Sequence, residues 1–199
     1  VKSFADIVKM KLPIRIAINR RGNMDADVGE AAMTMLGASR ANIKSWGGQV
    51  VHAASKEIVS LMSDRRIDVA NFGISYNHPR VREIAKNSSP VLLSYGQDVA
   101  SKVAKQFGGE VCDVKPGEYK WASNGATSVC MGAVIVVNAD MDAKLAYNIT
   151  KAMVEQIETF KNKSHRLIKK TATPKVLSQK GNAPHHPGAA KYFKEKGLM

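Results

Sequence analysis

Between residues 13 and 107, short apolar stretches of period two alternate with amphipathic stretches of period three to four. No other feature of the 199-residue chain constrains its fold as tightly. "PIRIAIN" sets isoleucines at alternate positions (14, 16 and 18) and predicts a strand. The loop "RRGNMDA" leads into a helix with Val28, Ala31, Ala32, Met35 and Leu36 on one face, and Asp27 with Glu30 three residues on predicts a capping box at its start. "GGQVVHAA" is a second strand, followed by a short helix in "SKEIVSLMSDRRID" with Ile58, Leu61 and Met62 on one side. "VANFG" is a third, buried strand, and "HPRVREIAKNS" a helix with proline in its first turn, where the missing N–H costs nothing. "PVLLSY" and "QDVASKVAKQFG" repeat the pair. Strands separated by helical stretches predict an α/β layer with a largely parallel sheet.

Past this region the pattern loosens. Residues 108–125 are rich in Gly, Pro and polar side chains and predict loop or edge structure. "ATSVCMGAVIVVNA" predicts one long strand with a buried apolar centre. Asp140 is placed to cap a single helix in which Leu145, Ile149, Met153, Ile157 and Phe160 recur every three to four residues. Residues 161–184 are polar and basic, helical in pieces at best, and "HPGAAKYFKEKG" closes the chain as a short helix. No internal repeat or low-complexity tract is found.

Composition limits the function classes. At 44% hydrophobic the chain can bury one large core or two small ones, and with only 6% aromatics aliphatic side chains must fill them. No run approaches the roughly 18–20 apolar residues of a membrane-spanning helix, and the opening residues lack the pattern of a secretory signal. The formal charge of +13 points to an anionic partner, although a lysine-rich solvated surface is the plainer account. The densest basic stretch, "KNKSHRLIKKTATPKVLSQK", has no aromatic platform for single-stranded nucleic acid. Cys112 and Cys130 fit no zinc spacing. They suit either one disulfide or two buried thiols, and the apolar surroundings of Cys130 favour thiols.

Two loops carry the candidate site. "NRRGNMDAD" joins a strand to a helix, a usual ligand position in open α/β sheets, and Arg20 and Arg21 could clamp a carboxylate. It is neither a Walker A loop nor a dinucleotide fingerprint, and an ordinary capped helix entry explains it equally well. "GISYNHPR" offers Ser75, Tyr76, Asn77 and His78 where a strand end opens into a crevice, while a plain turn would use the same residues. The five histidines are scattered without metal-ligand spacing. "FGISYN" lacks the second glycine of a nucleophile elbow. A helix-turn-helix across residues 55–86 is opposed by the strand-like "IDVANFG" between its helices. The adjacent His185 and His186 look like a ligand pair in isolation. In sequence order, His186 belongs to the turn opening the terminal helix, where a structural hydrogen bond is expected.

The order of segments is more specific than any one of them. "SLMSDRRIDVANFG", "KPGEYKW", "LAYNITKAM" and above all His186-Pro187-Gly188-Ala189 followed by Tyr192 resemble, in that order, the solute-binding proteins of TRAP transporters, specifically the TAXI family. The resemblance covers essentially the whole chain through short, degenerate motifs. It implies an α/β fold: a type II periplasmic-binding-protein-like lobe with a mixed sheet flanked by helices, plus C-terminal helices. Residues 1–125 would form the second lobe, and residues 126–199 a return strand and helices that would pack on a first lobe largely absent here. The implied function is non-enzymatic: a periplasmic subunit that closes on a small acidic solute, glutamate-like or a dicarboxylate, and delivers it to the membrane subunits of the transporter. No catalytic residue, metal, cofactor or nucleic acid is implied. The family's ligand loop, G-x-x-G-S-G-T, is met by Gly22, with Asn23 for Ser, Met24 for Gly and Asp25 for Thr. A carboxylate in place of that hydroxyl repels an acidic solute unless Arg20 or Arg21 compensates. The expected ligand-binding residues are Arg20, Asn23 and Asp25 on one loop and Ser75, Tyr76 and Asn77 on the other. The alternatives are a two-lobed α/β transferase clamping an anionic substrate through Arg20 and Arg21, and a basic nucleic-acid-binding module.

Overall fold

The computed structural model describes residues 1, 3–75, 78–164, 168–181 and 183–199. They fall into two compact units, Val1–Met131 and Gly132–Met199. Helix α1 (Phe4–Met10) opens the first unit on a reciprocal capping box: Ser3 accepts from the Asp6 backbone and Asp6 from the Ser3 backbone. Strand β1 (Arg15–Ile18) is the centre of a three-stranded parallel sheet in the order β2–β1–β3, with β2 at Gln49–His52 and β3 at Val69–Asn71. The register sets Ile16 opposite both Val50 and Val69.

The period-two pattern of β1 divides the core. Ile16 and Ile18 face one layer with Phe4 and Ile7 of α1, Met33 of α2 (Met24–Met35) and Ile43 of α3 (Arg40–Ser45). Ala17 faces the other layer, with Ala53, Ile67 and Ile58 of α4 (Ser55–Ser63). All three β1 residues are fully buried. Each isoleucine so placed contributes about 1.5–3 kcal/mol relative to exposure. Helix α5 (Pro79–Asn87) follows β3, with Pro79 in its first turn. Helix α6 (Gln97–Phe107) then leads into an antiparallel pair, β4 (Glu110–Val114) and β5 (Ala126–Cys130). The unit is thus mixed α/β, with helices flanking small parallel and antiparallel sheets, consistent with a periplasmic-binding-protein-like lobe.

Several expectations are corrected. Helix α2 begins at Met24 with Asn23 as its N-cap, so Asp27 lies inside the first turn and the expected capping box does not form; Glu30 pairs with Arg40 at 2.9 Å instead. "PVLLSY" is not a strand: it contributes one isolated bridge, Ser3 with Ser94. The long strand from Ala126 ends at Cys130, opposite Glu110, where β4 begins. Beyond that point Val134, Ile135 and Val136 are 63%, 65% and 71% exposed. A strand needs a neighbour to accept its backbone hydrogen bonds, and apolarity alone does not supply one. Cys112 and Cys130 are bonded to each other, not free thiols. The side chain of Cys130 is exposed at the end of β5, so the apolar run around it provides no core to bury it.

In the second unit the predicted single helix is two, α7 (Ala143–Glu155) and α8 (Ile157–Lys163), which meet at Gln156. Asp142, not Asp140, caps α7 by accepting from the Leu145 backbone. The face of α7 that packs is also not the large apolar stripe: Ala146 is buried, while Leu145 and Ile149 are exposed. Its neighbour is α11 (Pro187–Glu195), where Tyr192 meets Tyr147 edge to face at 5.3 Å. The short α9 (Ile168–Thr171) and α10 (Pro174–Leu177) lie between. A groove of about 400 Å³ runs among residues 133–137, α7, α10 and the start of α11. His186 makes the expected structural bonds: Nδ1 accepts from the Gly188 backbone at 3.2 Å and Nε2 lies 3.0 Å from the Met141 carbonyl.

Candidate functional site

The sheet order determines where a ligand can sit. With β1 central, the chain leaves it on one side toward β2 and returns on the other as β3. The connections therefore diverge between β1 and β3, and the C-terminal ends of those two strands are where a crevice binds ligands in sheets of this kind. The two candidate loops of the sequence, after Ile18 and after Asn71, are those loops.

In the first loop Asn19 folds back so that its Oδ1 accepts from the Arg20 backbone at 2.8 Å, and Gly22 takes φ +83°, a left-handed conformation suited to glycine. Arg20 and Arg21 are exposed and, among the described residues, join no ion pair. Asn23 is exposed and caps α2 through its backbone alone, so its carboxamide is not used by the helix. Asp25 is half-buried. Its Oδ2 accepts from Asn19 Nδ2 at 2.8 Å and from the Gly73 backbone at 2.7 Å. The second loop is thereby fastened to the first. Ser75 is exposed two residues beyond Gly73, and Tyr76 and Asn77 lie outside the described residues. The structure thus brings Arg20, Asn23, Asp25 and Ser75 to one end of the sheet.

Several residues at this end were not singled out by sequence reasoning. His52, at the end of β2, holds the Asn19 carbonyl through Nδ1 at 2.7 Å, and its Nε2 meets Glu30 at 3.0 Å beside Arg40. This cluster braces the β1 loop from the side away from β3. Beneath the crevice Asn71 packs on the bare backbone of Gly29, where an added Cβ would come within 2.7 Å of its amide nitrogen. Tyr95 donates to Asn71 Oδ1 at 3.2 Å, and burial pushes its phenol up to about 12. Asn71 Nδ2 is buried with no partner among the described residues. For His52 and Asn71 the only sequence signal was position, since each ends a strand; Gly29 and Tyr95 carried none.

Elsewhere, the described residues contain no group of three or more His, Cys, Asp and Glu side chains able to hold a metal ion, and no described helix is long and apolar enough to cross a membrane. The model of the NMT1-like family matches residues 2–197. No curated protein matches the chain.

Proposed function

The chain belongs to the NMT1-like family, whose members are of solute-binding type, and from that premise we propose that it is the solute-binding subunit of a TRAP-type uptake system of the TAXI family. The reading carries a small acidic solute, glutamate-like or a dicarboxylate, in the crevice between β1 and β3, and membrane subunits of the transporter as partners. The observation that supports it most directly is the convergence of two polar loops at the point where the connections of the sheet diverge, with Arg20 and Arg21 exposed on the first of them. In this reading the Val1–Met131 unit is one lobe of a two-lobed binding protein. Arg20 takes a solute carboxylate as a bidentate donor, and Asn23, Asp25 and Ser75, with Tyr76 and Asn77, line the remainder. Solute burial favours the closed form, and that form docks on the membrane subunits. The Cys112–Cys130 disulfide supports an extracytoplasmic, periplasmic location, because such bonds persist in oxidising compartments.

Calorimetry of the full-length protein with glutamate and succinate tests the reading. Binding of either solute is expected, weakened at least tenfold by Arg20→Ala. A folded protein that binds neither, or an Arg20→Ala variant with undiminished affinity, overturns it.

A further inference from the structure

The sequence places a carboxylate, Asp25, in the loop proposed to receive an acidic solute, where its charge opposes binding. Its geometry resolves the conflict. Both donors that reach Asp25, Asn19 Nδ2 and the Gly73 backbone N–H, converge on the same oxygen, Oδ2. One donor comes from the end of β1 and the other from the loop after β3, 48 residues beyond Asp25. The approach is close: a Cβ added to Gly73 would lie 2.7 Å from the Cβ of Asp25. Gly73 has no left-handed φ, so the glycine is needed for proximity and not for backbone conformation.

We propose that Asp25 is a positioning residue: its Oδ2 ties the two crevice loops into one body, and what the site requires of it is a hydrogen-bond acceptor, not a negative charge. The assignment to solute binding rests on the function proposed above; the tie itself does not. An asparagine at 25 supplies a carbonyl oxygen that can receive both donors and removes the charge, whereas alanine removes the acceptor and leaves the Gly73 N–H and the Asn19 amide without their partner. Gly73→Ala breaks the same tie from the other side by forcing the loops apart.

Two measurements on the full-length protein test this. Hydrogen exchange at the Gly73 amide is expected to be slow in the parent, to stay within about threefold of it in Asp25→Asn, and to rise at least tenfold in Asp25→Ala, since an opening cost lowered by about 1.4 kcal/mol is a factor of ten. Glutamate affinity is expected to move in opposite directions, weaker in Asp25→Ala and Gly73→Ala and stronger in Asp25→Asn, because the tie is kept while a like charge beside the solute is lost. A residue of merely structural importance would not give that reversal. Exchange at Gly73 unchanged by Asp25→Ala, or Asp25→Asn as impaired as Asp25→Ala in both measurements, overturns the proposal. If no variant and no parent protein binds glutamate, the solute reading fails alone and the exchange result still decides the tie.

Discussion

Tyr95 illustrates how one buried polar group can govern a pH response. Its hydroxyl donates to Asn71, which lies against Gly29, and burial holds its pKa near 12, above the ordinary value of 10.0. Because the folded value is raised, the protonated phenol's contribution is complete below pH 10. It is lost as pH rises from about 10 to 12, where the unfolded chain releases the proton and the folded protein does not. Two units correspond to roughly 2–3 kcal/mol. Tyr95→Phe removes the titrating group at the cost of one hydrogen bond, about 1 kcal/mol. Denaturant unfolding at a series of pH values should find the variant less stable than the parent below pH 10 and the difference reversed near pH 12. Parallel curves across this range would contradict the assignment. None of this was legible in the sequence, because "PVLLSY" read as a strand and its last residue as a strand side chain.

At the scale of elements, helix pairing follows backbone access more than apolar content. The stripe of Leu145, Ile149 and Met153 is the larger apolar face of α7, yet α11 packs where Gly188 meets the backbone of Ala143. A Cβ at Gly188 would lie 2.1 Å from the Ala143 carbonyl oxygen, a clash that backbone movement alone can relieve. Gly188→Ala is therefore expected to destabilise the second unit by about 1–3 kcal/mol, as overpacking does, and to loosen the Tyr147–Tyr192 ring contact. Circular dichroism melting would measure the first effect; an unchanged midpoint would mean that the helices do not approach this closely. The sequence places Pro187 at the opening of the terminal helix, where proline is tolerated, but does not say which helix Gly188 meets. It missed the break at Gln156, which no Pro or Gly announces, and α3, a six-residue helix too short for a periodic signal.

At the scale of the whole molecule, both units are basic: residues 1–131 carry 18 Lys and Arg against 12 Asp and Glu, and residues 132–199 carry 12 against 5. The field is therefore not confined to one tail, and a molecule charged throughout attracts small anions at rates that fall with ionic strength. The disulfide and both tryptophans, Trp46 and Trp121, belong to the first unit. Tryptophan fluorescence consequently reports on the unit that the disulfide constrains. The bond closes a loop of 18 residues, for which loss of chain-entropy constraint costs about 3 kcal/mol. Reductant should lower the fluorescence-detected midpoint by roughly 10 °C for a unit of this size. A midpoint insensitive to reductant would show that the hairpin β4–β5 contributes little to the first unit.

What the sequence determined by itself is the layer: three short strands and the helices between them carry their signal locally, as in the spacing of Ile14, Ile16 and Ile18 and of Ile58, Leu61 and Met62. The position of the two candidate loops followed, since each joins a strand end to a helix start. The long-range choices belonged to tertiary structure. Whether residues 133–137 pair depends on a neighbouring strand, whether Cys130 is a thiol depends on what lies across β4, and whether Asp25 caps its own helix or holds Gly73 depends on a loop 48 residues away. Periodicity reports which face of an element is apolar, but a hydrogen-bond partner distant in sequence leaves no period to read.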